Sequence, residues 1–73
     1  MTHYQFKMLD EGEQIGAFGH GVSVGEYRAD GFTFECRQID DFYVEYKKNE
    51  NHYVDMRAFR NLDLLQPYFD SNE

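Results

Sequence analysis

Apolar and polar residues alternate with period two along most of this chain, the pattern of strands that bury one face. In HYQFKML the apolar set is Tyr4, Phe6 and Met8. DEGE, Asp10 to Glu13, reads as a turn in which Gly12 is free to take positive φ, and Ile15 and Ala17 resume the alternation. YRADGFTFECRQI carries the strongest local signal. Asp30-Gly31 between alternating segments predicts a two-residue type I′ hairpin that pairs Ala29 with Phe32 and Tyr27 with Phe34. Phe32, Phe34 and Cys36 then share one face, and Thr33, Glu35 and Arg37 the other.

DDFYVEYKKNENHYVDMRAF predicts a second hairpin. Phe42, Val44 and Tyr46 alternate with Tyr43, Glu45 and Lys47, and His52, Val54 and Met56 alternate with Tyr53, Asp55 and Arg57. Both apolar sets stay on one face only with even pairing, because a one-residue slip inverts a strand. A three-residue loop, Asn49-Glu50-Asn51 with Asn51 left-handed, meets that condition, as does a five-residue loop. His52 then lies beside the turn on the core side.

The period changes in FRNLDLLQPYFDSNE, where Leu62, Leu65 and Phe69 fall at helical spacing, as do Leu64 and Tyr68. Asn61 or Asp63 is the expected N-cap. With Asp63 as cap, Pro67 sits harmlessly in the first turn; with Asn61 as cap, it breaks the helix early. The tail DSNE is acidic and expected to fray. The elements predict a single α+β, mostly β domain over residues 1–73. It is one curved antiparallel sheet, a meander of five or six strands, with a short C-terminal helix covering the core; a small barrel is the alternative.

IGAFGHGVSVGEY places glycine at 16, 19, 21 and 25. A phosphate loop of the G-x-G-x-x-G kind fails here, because Val24 holds the third place and no helical pattern or Gly-Lys-Ser/Thr follows. The apolar phase instead runs odd at Ile15 and Ala17, even at Val22 and Val24, and odd again at Tyr27 and Ala29. Each change requires an irregularity, so the sheet is expected to bend or bulge near Gly19–Gly21 and again near Gly25.

A chain of 73 residues buries only about 60% of its unfolded surface, so seven Phe and six Tyr must make a dense core. The only cysteine, Cys36, excludes an internal disulfide and aligns with the inner face as a buried, inert thiol. His3, His20 and His52 have no metal-ligand spacing, and no serine triad is available. No catalytic residue, metal or cofactor is expected. MTHYQFKMLDEGE has neither a basic region nor a long apolar run, so no signal peptide or membrane span is expected, and a lone thiol suits a cytoplasmic location.

Fourteen acidic residues against seven basic give a net charge of −7. Such a surface keeps an aromatic-rich protein soluble, repels nucleic acid and membranes directly, and attracts a basic protein surface. The expected partner-binding residues are Glu35, Asp40, Asp41, Tyr43, Glu45, Tyr53, Asp55 and Arg57. Tyr43, Glu45, Tyr53, Asp55 and Arg57 are placed on the outward face of the second hairpin, where Glu45 and Asp55 face each other in the three-residue-loop register. Cross-strand tyrosines serve either that hairpin's stability or a binding face. The function expected is a small non-enzymatic binding module, in its sharp form an inhibitor docking on a basic, nucleic-acid-binding surface as small phage-encoded anti-defence proteins do. A structural homo-oligomer or accessory subunit is the alternative, and a small ligand-binding domain or enzyme ranks last.

Overall fold

A computed structural model describes residues 1–50 and 52–70. Two short helices, α1 (His3–Lys7) and α2 (Glu11–Gly19), precede four strands, β1 (Val22–Ala29), β2 (Phe32–Ile39), β3 (Phe42–Asn49) and β4 (His52–Phe59). A 3-10 turn (Leu62–Leu65) leads into α3 (Gln66–Asp70). The strands form one open antiparallel sheet in the order β1-β2-β3-β4. The predicted five or six strands and the barrel are therefore not found, because both N-terminal alternating segments are helical.

Capping explains that outcome. The Thr2 hydroxyl accepts from the Gln5 N–H at 3.0 Å while the Gln5 side chain accepts from the Thr2 N–H at 2.8 Å. Asp10 and Glu13 make the same reciprocal pair at the start of α2, at 2.8 and 3.3 Å. These capping boxes satisfy N–H groups that a helix start otherwise leaves open. DEGE is thus a helix N-terminus and not a turn. Tyr4 and Met8 lie on the exposed side of α1, and Phe6 alone of that apolar set is buried.

The Asp30-Gly31 hairpin is as expected, with Ala29 opposite Phe32, Tyr27 opposite Phe34, and both turn residues at positive φ, 56° and 83°. Ile39 pairs with Phe42 and Asn49 with His52, so the later turns also hold two residues each. Asp40 and Glu50 begin them in the left-handed region, at φ 53° and 56°. The expected three-residue loop is absent, and Asn51 lies outside the described residues. Phase in the second hairpin is restored by a bulge: the register passes from Lys48↔Tyr53 to Lys47↔Asp55, skipping Val54. A matching shift in β1 between Ser23 and Gly25 skips Val24, where a bulge was expected.

The two sheet faces are covered by opposite ends of the chain. Phe6 and Phe18 from α1 and α2 pack on Phe42 and Val44. Leu65 and Tyr68 pack on Cys36 and Phe59 across the sheet. Asn61 caps the 3-10 turn, accepting from Asp63 N–H at 3.0 Å, and the helix converts to α at Gln66, so Pro67 still falls in a first turn. Leu65 and Tyr68 are buried, one on each side of the change from 3-10 to α geometry, whereas Leu62 and Phe69, expected in the core, are exposed. His52 is exposed rather than core-facing, because the bulge follows it.

Arg37 locks α2 to the sheet. Its Nη1 donates to the Phe18 and Gly19 carbonyls at 3.2 and 3.1 Å, its guanidinium lies 4.7 Å from the Phe18 ring centroid, and Glu35 holds it at 3.0 Å. A cation at a helix C-terminus is favoured by the backbone carbonyls there. The bent or bulged strand pair expected near Gly19–Gly21 is not found, because Gly19 ends α2 and β1 starts only at Val22. A Cβ on Gly21 would meet Arg37 Cβ at 2.9 Å and the Gln38 carbonyl at 3.2 Å, whereas one on Gly16 meets nothing within 4 Å. Gly21→Ala is expected to cost about 1–3 kcal/mol by overpacking. Gly16→Ala, inside α2, should stabilise by about 0.5–1 kcal/mol. Chemical denaturation of both variants tests the pair of opposite signs.

Candidate functional site

The sheet face under α3 is built from rows of residues that the register sets side by side. Cys36, Glu45 and Arg57 form one row, and Tyr27, Phe34, Lys47 and Asp55 the next. A two-residue turn pairs an odd with an even position, so the even face of β2 continues as the odd face of β3. Cys36 and Glu45 are therefore neighbours on one face, although inner and outer faces were expected for them.

Glu45 is only 8% exposed. Its Oε2 accepts from the Tyr68 hydroxyl at 2.7 Å, and its Oε1 accepts from Arg57 Nη2 at 3.3 Å. A buried carboxylate needs such partners, since its desolvation is otherwise uncompensated. Burial, and then Glu45, pushes the Cys36 thiol up from 9.0 to about 12. The Tyr68 hydroxyl is also raised, by burial first and by its bond to Glu45 second. Tyr27 is raised by burial and Glu45 against a lowering from Arg57.

Past α3 the second row is left open. Tyr27, Phe34, Glu45, Lys47, Asp55 and Arg57 line a pocket of about 290 Å³ there. The Tyr27 and Phe34 rings stack at 4.7 Å and 9°. Lys47 Nζ lies 4.2 Å from the Phe32 centroid and 5.6 Å from that of Phe34. A hairpin face expected to be open is thus partly concave.

A second cluster lies at the β4 edge. Tyr53 stands beside Tyr46, with centroids 5.5 Å apart. Its hydroxyl is raised by burial first, then by Glu11 of α2, then by Asp55. Carboxylates of two elements therefore act on one half-buried tyrosine.

Comparison with known proteins finds no matching family model, no matching curated sequence and no matching solved structure. Among the described residues, no helix is long and apolar enough to cross a membrane, and no group of three or more His, Cys, Asp or Glu is placed to hold a metal.

The eight residues expected to share a binding surface do not share one. Glu35 lies on the α2 face, held by Arg37. Asp40 pairs with the N-terminal ammonium and Asp41 with Arg60 at 3.3 Å, both at the β2–β3 turn. Tyr43 stacks on Phe59 at 5.8 Å and packs against the α3 cluster. Glu45 is buried and faces Arg57, so the expected Glu45–Asp55 opposition is replaced by Glu45–Arg57 and Lys47–Asp55. Tyr53, Asp55 and Arg57 remain accessible along β4. Tyr27, Phe34, Lys47, Tyr68 and Glu11 were missed. A two-residue turn at Asp40-Asp41 joins the first three of these to one face, whereas Tyr68 reaches it from α3.

Tyr68→Phe is expected to cost about 1–3 kcal/mol, because it strips a buried charged acceptor of its shortest donor. Alkali should also unfold the protein. The folded thiol keeps its proton up to about pH 12 and the unfolded one loses it near 9.0, so the native state holds the extra proton and stability falls as pH rises through that window. Urea titrations between pH 8 and 10 should show a shallower fall for Cys36→Ala than for the parent chain.

Proposed function

We propose that the protein is a non-enzymatic binding module that docks on a basic protein surface through the exposed carboxylates of β4 and of the start of α2. One observation carries this reading: exposed carboxylates of two elements, Glu11 of α2 and Asp55 of β4, both act electrostatically on Tyr53 at the sheet edge, Asp55 from the opposite face of the strand. Among the described residues neither carboxylate is held in an ion pair, in contrast with Glu35, Asp40, Asp41 and Glu45. Charge that serves solubility alone needs no tyrosine in its midst, whereas binding faces are enriched in tyrosine.

The sharper form is an inhibitor that fills a nucleic-acid-binding groove in the manner of phage-encoded anti-defence proteins. Same-face residues of one strand recur only about every 6.6 Å, against about 3.4 Å between phosphates along one DNA strand. Carboxylates drawn from separate elements suit that spacing better than one strand does. Assembly of copies through sheet edges is the weaker reading, because both edge strands carry bulges, a feature that discourages edge pairing.

The test is binding to a panel of purified basic nucleic-acid-binding proteins across rising salt. Affinity should fall at least about tenfold between 50 and 500 mM salt, and Glu11→Gln with Asp55→Asn should weaken it by a similar factor at low salt. Binding that ignores both salt and the double substitution would sink the reading.

A further inference from the structure

We propose that the pocket beside α3 is a binding site for a small carboxylate that carries a flat apolar group, such as an arylalkanoate. The pocket is bounded by the stacked Tyr27 and Phe34 rings on the β1–β2 side and by Lys47, Asp55 and Arg57 on the β3–β4 side. One end therefore takes apolar surface and the other takes charge. At about 290 Å³ it lies at the lower limit of small-molecule pockets, which run from ~300 to 1,000 Å³, and this restricts the occupant to a small molecule.

The sign of the ligand follows from which charges are already satisfied. Glu45 is engaged from both of its oxygens, by Tyr68 and by Arg57. Arg57 spends one Nη2 contact on it at 3.3 Å, and its side chain is 55% exposed, so further N–H donors of the guanidinium face outward. Lys47 stands opposite Asp55 in the register, yet its ammonium rests on the Phe32 and Phe34 rings. Among the described residues, no carboxylate lies within ion-pair distance of Lys47. Two cations with spare donors thus face one free carboxylate, Asp55. The lining is formally neutral, two cations against Glu45 and Asp55, on a chain of charge −7, but Glu45 is already satisfied and the spare hydrogen-bond donors are all cationic. A ligand carboxylate gains charge-assisted hydrogen bonds from Arg57 and Lys47, and its apolar body lies against Phe34 and Tyr27. A cationic ligand would meet the Lys47 ammonium, already seated over Phe32 and Phe34.

The test is titration of the folded chain with phenylacetate, phenethyl alcohol and phenethylamine, followed by backbone amide shifts. Phenylacetate should give saturable shifts centred on Phe34, Lys47 and Arg57. It should bind about two- to fivefold more tightly than the alcohol, with the amine weakest. Lys47→Gln should weaken phenylacetate, and Asp55→Asn, at an exposed position, should tighten it by a similar factor. Asp55→Asn has the opposite expected effect on a basic partner, so failure of one proposal is distinguishable from failure of the other. Equal or tighter binding of the amine, absence of saturable shifts, or shifts centred away from the pocket would overturn the assignment.

Discussion

Burying the Glu45 carboxylate at the middle of the sheet has a free-energy cost that only its partners offset. Tyr68 reaches it from the C-terminal helix and Arg57 from the neighbouring strand. Much of the surrounding geometry follows. The Tyr68 hydroxyl fixes where α3 sits, and α3 in turn seals Cys36 and Phe59. Arg57 is drawn inward by one nitrogen while the rest of its guanidinium stays in solvent. A hydrophobic residue at position 45 would remove the cost and also the reason for α3 to dock in one orientation.

A single sheet leaves two faces to bury, and a short chain has little material with which to do it. Here the N-terminal helices take one face and the C-terminal segment the other. Both covers are too short to span the sheet. The C-terminal one contributes Leu65 and Tyr68 to the buried set, which is why the row from Tyr27 to Asp55 remains open. On the opposite face Arg37 fastens α2 by its last carbonyls, and Glu35 keeps the guanidinium aimed.

The parts of this fold that were legible in the sequence are those set by local chemistry. Asp30-Gly31 names its turn type, and the turn then dictates the pairs Ala29–Phe32 and Tyr27–Phe34 and the inward Cys36. The capping boxes at Thr2–Gln5 and Asp10–Glu13 are local chemistry too, but the period-two alternation masks them. The two helices, α1 and α2, bury only Phe6 and Phe18, so no 3.6-residue apolar repeat is long enough to register against the period of two. The binding face was misassembled for a different reason. Alternation tells which residues of one strand share a side, but not which side joins to that of the next strand. That depends on the parity of the turn, and Asp40-Asp41 lacks the glycine that marks a two-residue hairpin.

Strands begin at 22, 32, 42 and 52, each eight residues long, so the sheet is laid down on a ten-residue repeat. This spacing makes the chain intolerant of odd changes in loop length. One residue added to the β2–β3 turn would carry Glu45 to the α2 side and Val44 to the α3 side, exchanging a carboxylate and a core residue at a stroke. The skipped residues Val24 and Val54 are where such a slip is absorbed, and both lie in outer strands with a neighbour on one side only. Insertions and deletions in descendants of this sequence should therefore be found at the two borders of the sheet, while its central pair keeps a constant length.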